Sequence, residues 1–420
     1  METRSDSPRW RIDFQCPRCA GALCLEETDR IFTCPWCRVK LCIGSRGPLE
    51  CCIPPPAAAG DDILFVPYWR LKGMAFSCLP GGRIEAGAVD LNHIALDAPR
   101  LPWSLGIQPR LASLRFVSPA VGGTFFAPSI TVAQALAGFE ANMKKLGIPP
   151  WTAPALHRAW IGEQVSLLYY PLGRRNGRIV DLLQDRPLVP VARWEGLAAA
   201  VKQPESRVRF FAATCPDCGW DLEGERDTLV LTCRNCERAW RRLEEGLEDI
   251  PLAVIPDETT EEQTALPFWR IRASVEGIPL ESLADYVRFC NLPRAVAPAM
   301  ESLPLHFWVP AFKANAELYL RLIRRVTLFQ WQGEFGRRPG SMRSHAVTLP
   351  AEEAAESLKT ALADLAADKR ILLPRLNEIG ITMKEALLVY VLFRSRGGEL
   401  VQPQIPLAIQ RRALQYGLNI

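Results

Sequence analysis

The sequence predicts an α+β protein arranged as a tandem duplication, each half a small all-β four-cysteine domain followed by an α+β module with an antiparallel sheet. Three observations predict it. A spaced quartet of cysteines occurs twice, a Pro-aromatic-Trp-Arg motif follows each quartet, and strand-like and helix-like segments succeed one another in similar order in both halves.

Length and composition set the frame. A chain of 420 residues exceeds one ordinary core, so several domains are expected. With 48% hydrophobic and 23% charged residues it cannot be wholly disordered. Its 35 prolines are dispersed and so mark loops and strand edges, not proline-rich ligand tracts. The run from Met1 to Pro8 has no apolar core, so no secretory signal is expected there. No stretch reaches the roughly 18 apolar residues that span a bilayer, and residues 386–393 read as a buried strand. The expectation is a cytoplasmic protein without a membrane span. In that reducing compartment Cys-x-x-Cys pairs serve metals or redox chemistry more than disulfides.

The cysteines come first. Cys16-Pro17-Arg18-Cys19 is separated by fourteen residues from Cys34-Pro35-Trp36-Cys37. Cys215-Pro216-Asp217-Cys218 stands at the same interval from Cys233-Arg234-Asn235-Cys236, with all four cysteines offset by 199 residues. Each pair turns tightly and presents two sulfurs on one side, and the interval suffices for a hairpin that brings the second turn opposite the first. Eight thiolates with two divalent ions would bring the formal charge from +4 to zero, so the chain is no polycation.

These segments, about 14–42 and 213–240, resemble the zinc-ribbon group, which includes rubredoxin-like iron sites. The resemblance implies metal ligation by Cys16, Cys19, Cys34 and Cys37, and by Cys215, Cys218, Cys233 and Cys236. It covers only the ribbon segments. The group often has glycine after a pair's second cysteine. Gly219 fits, whereas Ala20, Arg38 and Glu237 depart, which predicts tighter or less regular turns at those three. Two structural Zn²⁺ ions are expected, because a ribbon this small cannot bury enough apolar surface alone and four sulfurs leave no open position for substrate. Iron is the alternative, since a tetrahedral sulfur site suits either metal. The domains expected are zinc ribbon 1 at 1–52, module 1 at 63–204, zinc ribbon 2 at 205–250 and module 2 at 264–420.

Within the modules the repetition continues. Pro67-Tyr68-Trp69-Arg70 recurs as Pro267-Phe268-Trp269-Arg270, and a weaker landmark relates Phe116–Ala120 to Phe307–Ala311. Residues 167–172 resemble 387–392, each followed by a glycine turn at Asn176-Gly177 or Gly397-Gly398. Strands are expected at 63–77, 114–118, 266–275 and 305–309, helices at 132–146, 316–328 and 351–368, and hairpins at 164–180 and 385–401. Residues 53–62 and 256–265 read as linkers. The repeated Trp69-Arg70 and Trp269-Arg270 have two readings, core packing or a paired partner-binding surface.

Function is bounded mainly by what is missing. The four histidines (His93, His157, His306 and His345) sit in no metal or triad signature, and no nucleophile-elbow, metalloprotease or dinucleotide motif occurs. Trp10, Trp36, Arg9, Arg11, Arg18, Arg30, Arg38 and Lys40 surround the first ribbon, and Arg238-Ala239-Trp240-Arg241-Arg242 closes the second, an arrangement that could grip nucleic acid. Yet 1–52 carries a net charge of only +1 and 205–249 a net of −4, which argues against phosphate neutralisation. A basic loop at 336–343 lacks the Lys-Ser/Thr ending of a phosphate loop. Cys24, Cys42, Cys51, Cys52, Cys78 and Cys290 read as small hydrophobes. The expectation is a non-catalytic adaptor or assembly protein that binds protein partners of unknown identity through a pseudo-dimeric pair of repeats. Nucleic-acid binding is the first alternative and rubredoxin-like electron transfer the second.

Overall fold

The computed structural model describes residues 11–417 apart from 61, 99, 107–112, 149–150, 152, 195–199, 245, 258–261 and 337–342. Arg9, Trp10 and most of the 336–343 basic loop therefore lie outside the described residues. About 42% of the chain is strand and 18% helix, with predominantly antiparallel sheets, which makes it α+β.

Each module is organised on one long antiparallel pair. Ile63–Cys78 runs against His157–Arg175, from Ile63 opposite Gly173 to Cys78 opposite His157. Gln263–Glu276 runs likewise against Gly380–Arg396. Runs rich in aromatic and β-branched residues sustain strands this long because both faces are covered. To each pair a short parallel strand is added: Leu49–Cys52 beside His157–Arg175, and Leu252–Ile255 beside Gly380–Arg396. Neither sheet is therefore purely antiparallel, and the strand at 49–52, inside the span expected for the first ribbon, joins the module's sheet.

Specific bonds recur between the halves. The Ala95 N–H donates to Pro67 O at 2.9 Å, and the Ala311 N–H to Pro267 O at 2.9 Å. Ala95 O accepts from Ser129 and Ile130, as Ala311 O does from Thr348 and Leu349. The indole N–H of Trp69 reaches Ile130 O at 2.6 Å, and that of Trp269 reaches Leu349 O at 2.8 Å. Both long strands then reverse through a turn whose two central residues are left-handed, Asn176-Gly177 (φ 50° and 69°) and Gly397-Gly398 (φ 54° and 90°). After the turn, Asp181 accepts from the N–H groups of Leu183 and Gln184, and Gln402 from those of Gln404 and Ile405.

These bonds correct two sequence alignments. Phe307–Pro310 lies beside the strand carrying Trp269, where the first half has the end of Ile84–Ile94; Phe116 sits elsewhere, opposite Cys51. Leu167 pairs with Trp69 and Leu388 with Trp269, so Tyr169, not Tyr170, stands where Tyr390 does. Similarity of apolar residues alone does not fix strand register to one residue.

Helices fill the remaining faces. Val132–Lys145 starts at a capping box of Thr131 and Gln134. The helix expected at 351–368 is broken: Ala351–Glu356 and Leu358–Leu365 meet at Ser357, whose hydroxyl bonds Ala354 O at 2.6 Å and competes with the backbone ladder. Lys369 and Arg370 open a separate helix capped by Asp368 rather than closing that one. Leu283–Phe289 was not anticipated, although Ser282 and Asp285 form a capping box readable in sequence. The modules are not separated by their linkers. Met74, Phe76, Cys78 and Ile161 of the first belong to the apolar core of the second, with Phe76 packed 6.0 Å from Tyr319. No helix among the described residues is long and apolar enough to cross a membrane.

Candidate metal centres

Two hairpins present each tetrad. Arg11–Gln15 pairs with Ala22–Glu26 and holds Cys16 and Cys19 in its turn; Ile31–Thr33 pairs with Lys40–Ser45 and holds Cys34 and Cys37. In the second ribbon Val230–Cys233 lies between Leu222–Glu223 and Ala239–Arg242. The turns share one pattern. The N–H of Ala20 returns to Cys16 O, that of Arg38 to Cys34 O and that of Gly219 to Cys215 O, at 2.8–3.0 Å. All four residues after a pair are left-handed: Ala20 (57°), Arg38 (61°), Gly219 (71°) and Glu237 (60°). The turns at Ala20 and Arg38 are thus as regular as the glycine one, and Glu237 shares its left-handed conformation, contrary to the expectation from residue type. The strain of a left-handed side chain is tolerated where the surrounding bonds over-determine it.

The sulfurs converge. Within each tetrad all four Sγ atoms lie within 4.8 Å of one another. The nearest approaches are 3.9 Å (Cys16 to Cys37), 3.7 Å (Cys19 to Cys34), 3.5 Å (Cys215 to Cys236) and 3.5 Å (Cys218 to Cys233). Four ligands about 2.3 Å from a central ion stand about 3.8 Å apart in a regular tetrahedron. A disulfide would require about 2 Å. The arrangement fits a single ion and no S–S bond, and all fourteen cysteines are free. Cys16, Cys34, Cys215 and Cys233 are buried, while Cys19 and Cys218 face solvent.

Four thiols this close cannot ionise independently. Cys218 is lowered to about 6, first by the Asn235 side chain and then by the Trp220 N–H. At Cys34 burial raises the value, but the N–H groups of Cys37 and Trp36 and adjacent thiols bring it to about 7. Cys19, despite the Gly21 N–H, is pushed up to about 12 by desolvation and its three sulfur neighbours; Cys236 reaches about 12, chiefly by desolvation. Each tetrad thus forms one thiolate readily and resists the last until a cation shares the charge.

The ribbons pack on each other. Val208–Ala212, leading into the second ribbon, pairs antiparallel with Lys40–Ser45 of the first. Lys40 Nζ donates to Leu222 O at 2.6 Å, the Ile31 N–H to Arg226 O at 3.0 Å, and Arg226 pairs with Asp29. Ile31 and Cys42 share one buried cluster with Cys215, Leu231, Cys233 and Trp240. No local pattern encodes these contacts, because their partners are nearly two hundred residues apart. Gly44 shows how close the approach is: a Cβ there would sit 2.3 Å from the Glu244 carbonyl oxygen. Gly44→Val is therefore expected to cost about 1–3 kcal/mol in a denaturation curve, by forcing the ribbons apart.

The first ribbon is also tied to its module. Arg70 is 3% exposed and pairs with Asp90 and, at 3.7 Å, with Glu27 of the ribbon. Trp69 and Trp269 are 8% and 4% exposed, and Arg270 bonds His306 at 3.1 Å while its guanidinium lies over Phe335. Trp69, Arg70 and Trp269 are buried and Arg270 is half-buried, and the contacts of all four lie within the chain, which favours packing over a partner surface, since a contact surface must be accessible. The basic residues counted toward a nucleic-acid face are largely committed within the chain. Arg30 bonds Glu27 O and Asp29 O at 2.9 Å, Arg241 pairs with Glu248 and Glu352, Arg238 with Asp217 and Asp249, and Arg242 with Ile43 O.

No protein family, curated protein or solved structure matches this chain. Among the described residues the two cysteine tetrads are the groups of His, Cys, Asp and Glu whose ligand atoms converge as a metal site requires. The other cysteines are not poised as thiolates: burial raises Cys42 and Cys78 to about 11 and Cys52 to about 12, and holds Cys51 well above the ordinary thiol value. Cys51 and Cys52 pair with Leu168 and Tyr169, positions taken by Ala253 and Val254 against Val389 and Tyr390, which supports their reading as small core residues.

Proposed function

We propose that the chain is a non-catalytic zinc-ribbon scaffold, built by tandem duplication, that binds protein partners. The observation carrying this reading is that both converging sets are entirely sulfur. A tetrahedral ion there has no position left for water or substrate, and catalytic zinc requires one. Zinc would supply structure: roughly 10–16 kcal/mol of apparent binding free energy at neutral pH, enough to fold a segment with little core of its own. The matching bonds around Trp69 and Trp269, Ala95 and Ala311, and Asp181 and Gln402 support duplication. With one end of the first module's long strand pair packed into the second module's core, the two ribbons clasped to each other and the first ribbon paired to its module's sheet, the chain reads as one connected body rather than a string of separate knobs.

Iron is the competing ion, and colour separates the two. The chain purified from its native cells under non-denaturing conditions is expected to be colourless above the protein absorption band, to contain zinc, and to bring a protein partner in stoichiometric amount. Visible ferric-thiolate absorption would overturn the zinc assignment. Recovery without any protein partner would overturn the scaffold reading.

A further inference from the structure

A groove of about 840 Å³ runs between the strand Ile84–Ile94 of the first half and the helix Ala316–Phe329 of the second. That volume lies in the range of sites that enclose a ligand or a few side chains. Its helical wall carries Arg321, Arg324 and Arg325, spaced three and four residues apart on one exposed face. None of the three makes a hydrogen bond or ion pair with another described residue. The opposite face of the helix is locked into the core by Leu322, Ile323 and Val326, so the three guanidinium groups are held together despite their mutual repulsion.

The groove's carboxylates do not offset them. Glu85 is bonded to Arg83 at 2.9 Å and Asp364 to Lys369 at 3.0 Å, cations that do not line the groove. Glu317 sits in the helix's first turn, where a carboxylate complements the dipole. The apolar part of the lining is Ile84, Ala86, Leu320 and Leu328. Among the described residues no aromatic ring lines the groove, so they offer no platform for stacked bases.

We propose that this groove binds an acidic, leucine-bearing peptide segment of a protein partner, its carboxylates on the three arginines and its apolar side chains on Leu320 and Leu328. Arginine forks pair carboxylates in a bidentate manner, and an apolar strip beside them selects a peptide over a bare anion. The proposal goes beyond the scaffold reading and stands on residues outside both ribbons, so the two can fail separately.

The test is fluorescence anisotropy of the full chain with a labelled short peptide alternating Glu and Leu, beside a Lys/Leu peptide and a single-stranded oligothymidylate. The Glu/Leu peptide is expected to bind, more weakly as salt is raised, and the Lys/Leu peptide not to bind. Replacing all three arginines together by glutamine should weaken binding by about tenfold or more, with metal content and circular dichroism unchanged, and lysine replacements should restore part of it. Should the triple variant misfold, Arg324→Gln alone is expected to cost about threefold. Absence of peptide binding by the unmodified chain, unchanged affinity in a folded glutamine variant, or displacement of the peptide by oligothymidylate at equal concentration would each overturn the proposal.

Discussion

Cys233→Ser is expected to release the metal of the second ribbon and to loosen the first ribbon with it. The thiol is fully buried at the end of Val230–Cys233, and its sulfur stands 3.5 Å from that of Cys218. A serine oxygen is a poor substitute in an all-sulfur site, so much of the roughly 10–16 kcal/mol that a structural zinc contributes is forfeited. That is comparable to the whole stability of an ordinary domain, about 5–15 kcal/mol, and the segment should unfold locally. The loss then spreads by contact. Ile31 donates to Arg226 O, Lys40 to Leu222 O, and the Val208–Ala212 strand lies on Lys40–Ser45. Elemental analysis should find about half the metal of the parent protein, and hydrogen exchange should show faster exchange in both ribbons. Cys290→Ser, outside the tetrads, should leave the metal content unchanged. Full metal occupancy in Cys233→Ser would show that this sulfur is not a ligand.

Trp269→Ala is expected to cost about 3–5 kcal/mol, the range for emptying a buried aromatic site. The indole is 4% exposed, within the core shared by both modules. Its N–H anchors Leu349 O at 2.8 Å, the carbonyl just ahead of the helix Ala351–Glu356. Truncation therefore opens a cavity and strips a bond from the segment that positions that helix. Trp269→Phe retains most of the volume and should lose about 1 kcal/mol, mainly the N–H bond. Chemical denaturation of both variants reads the difference. If Trp269→Ala kept the parent midpoint while partner capture failed, the residue would belong to recognition and not to packing.

How much of this could be read from residues alone differs by scale. The tetrads were fully legible, because a metal site needs fixed residue types at fixed spacing and carries its own signature. The long strands and the helix after Thr131 were legible from composition and capping. The regular turns at Ala20 and Arg38 are not legible, because residue type reports the cost of a left-handed conformation and not the bonds that enforce it. The one-residue slip at Tyr169 arose because an apolar run carries no register. The clasp between the ribbons and the arginine groove were invisible, since both depend on residues from opposite halves that only the tertiary fold brings together.

X-ray absorption at the metal edge, taken with elemental analysis on the intact chain, tests the central claim most directly. The tetrads predict about two ions per chain, each with four sulfurs near 2.3 Å and no lighter ligand. A nitrogen or oxygen in the first coordination sphere, or a stoichiometry of one ion or none, would contradict it.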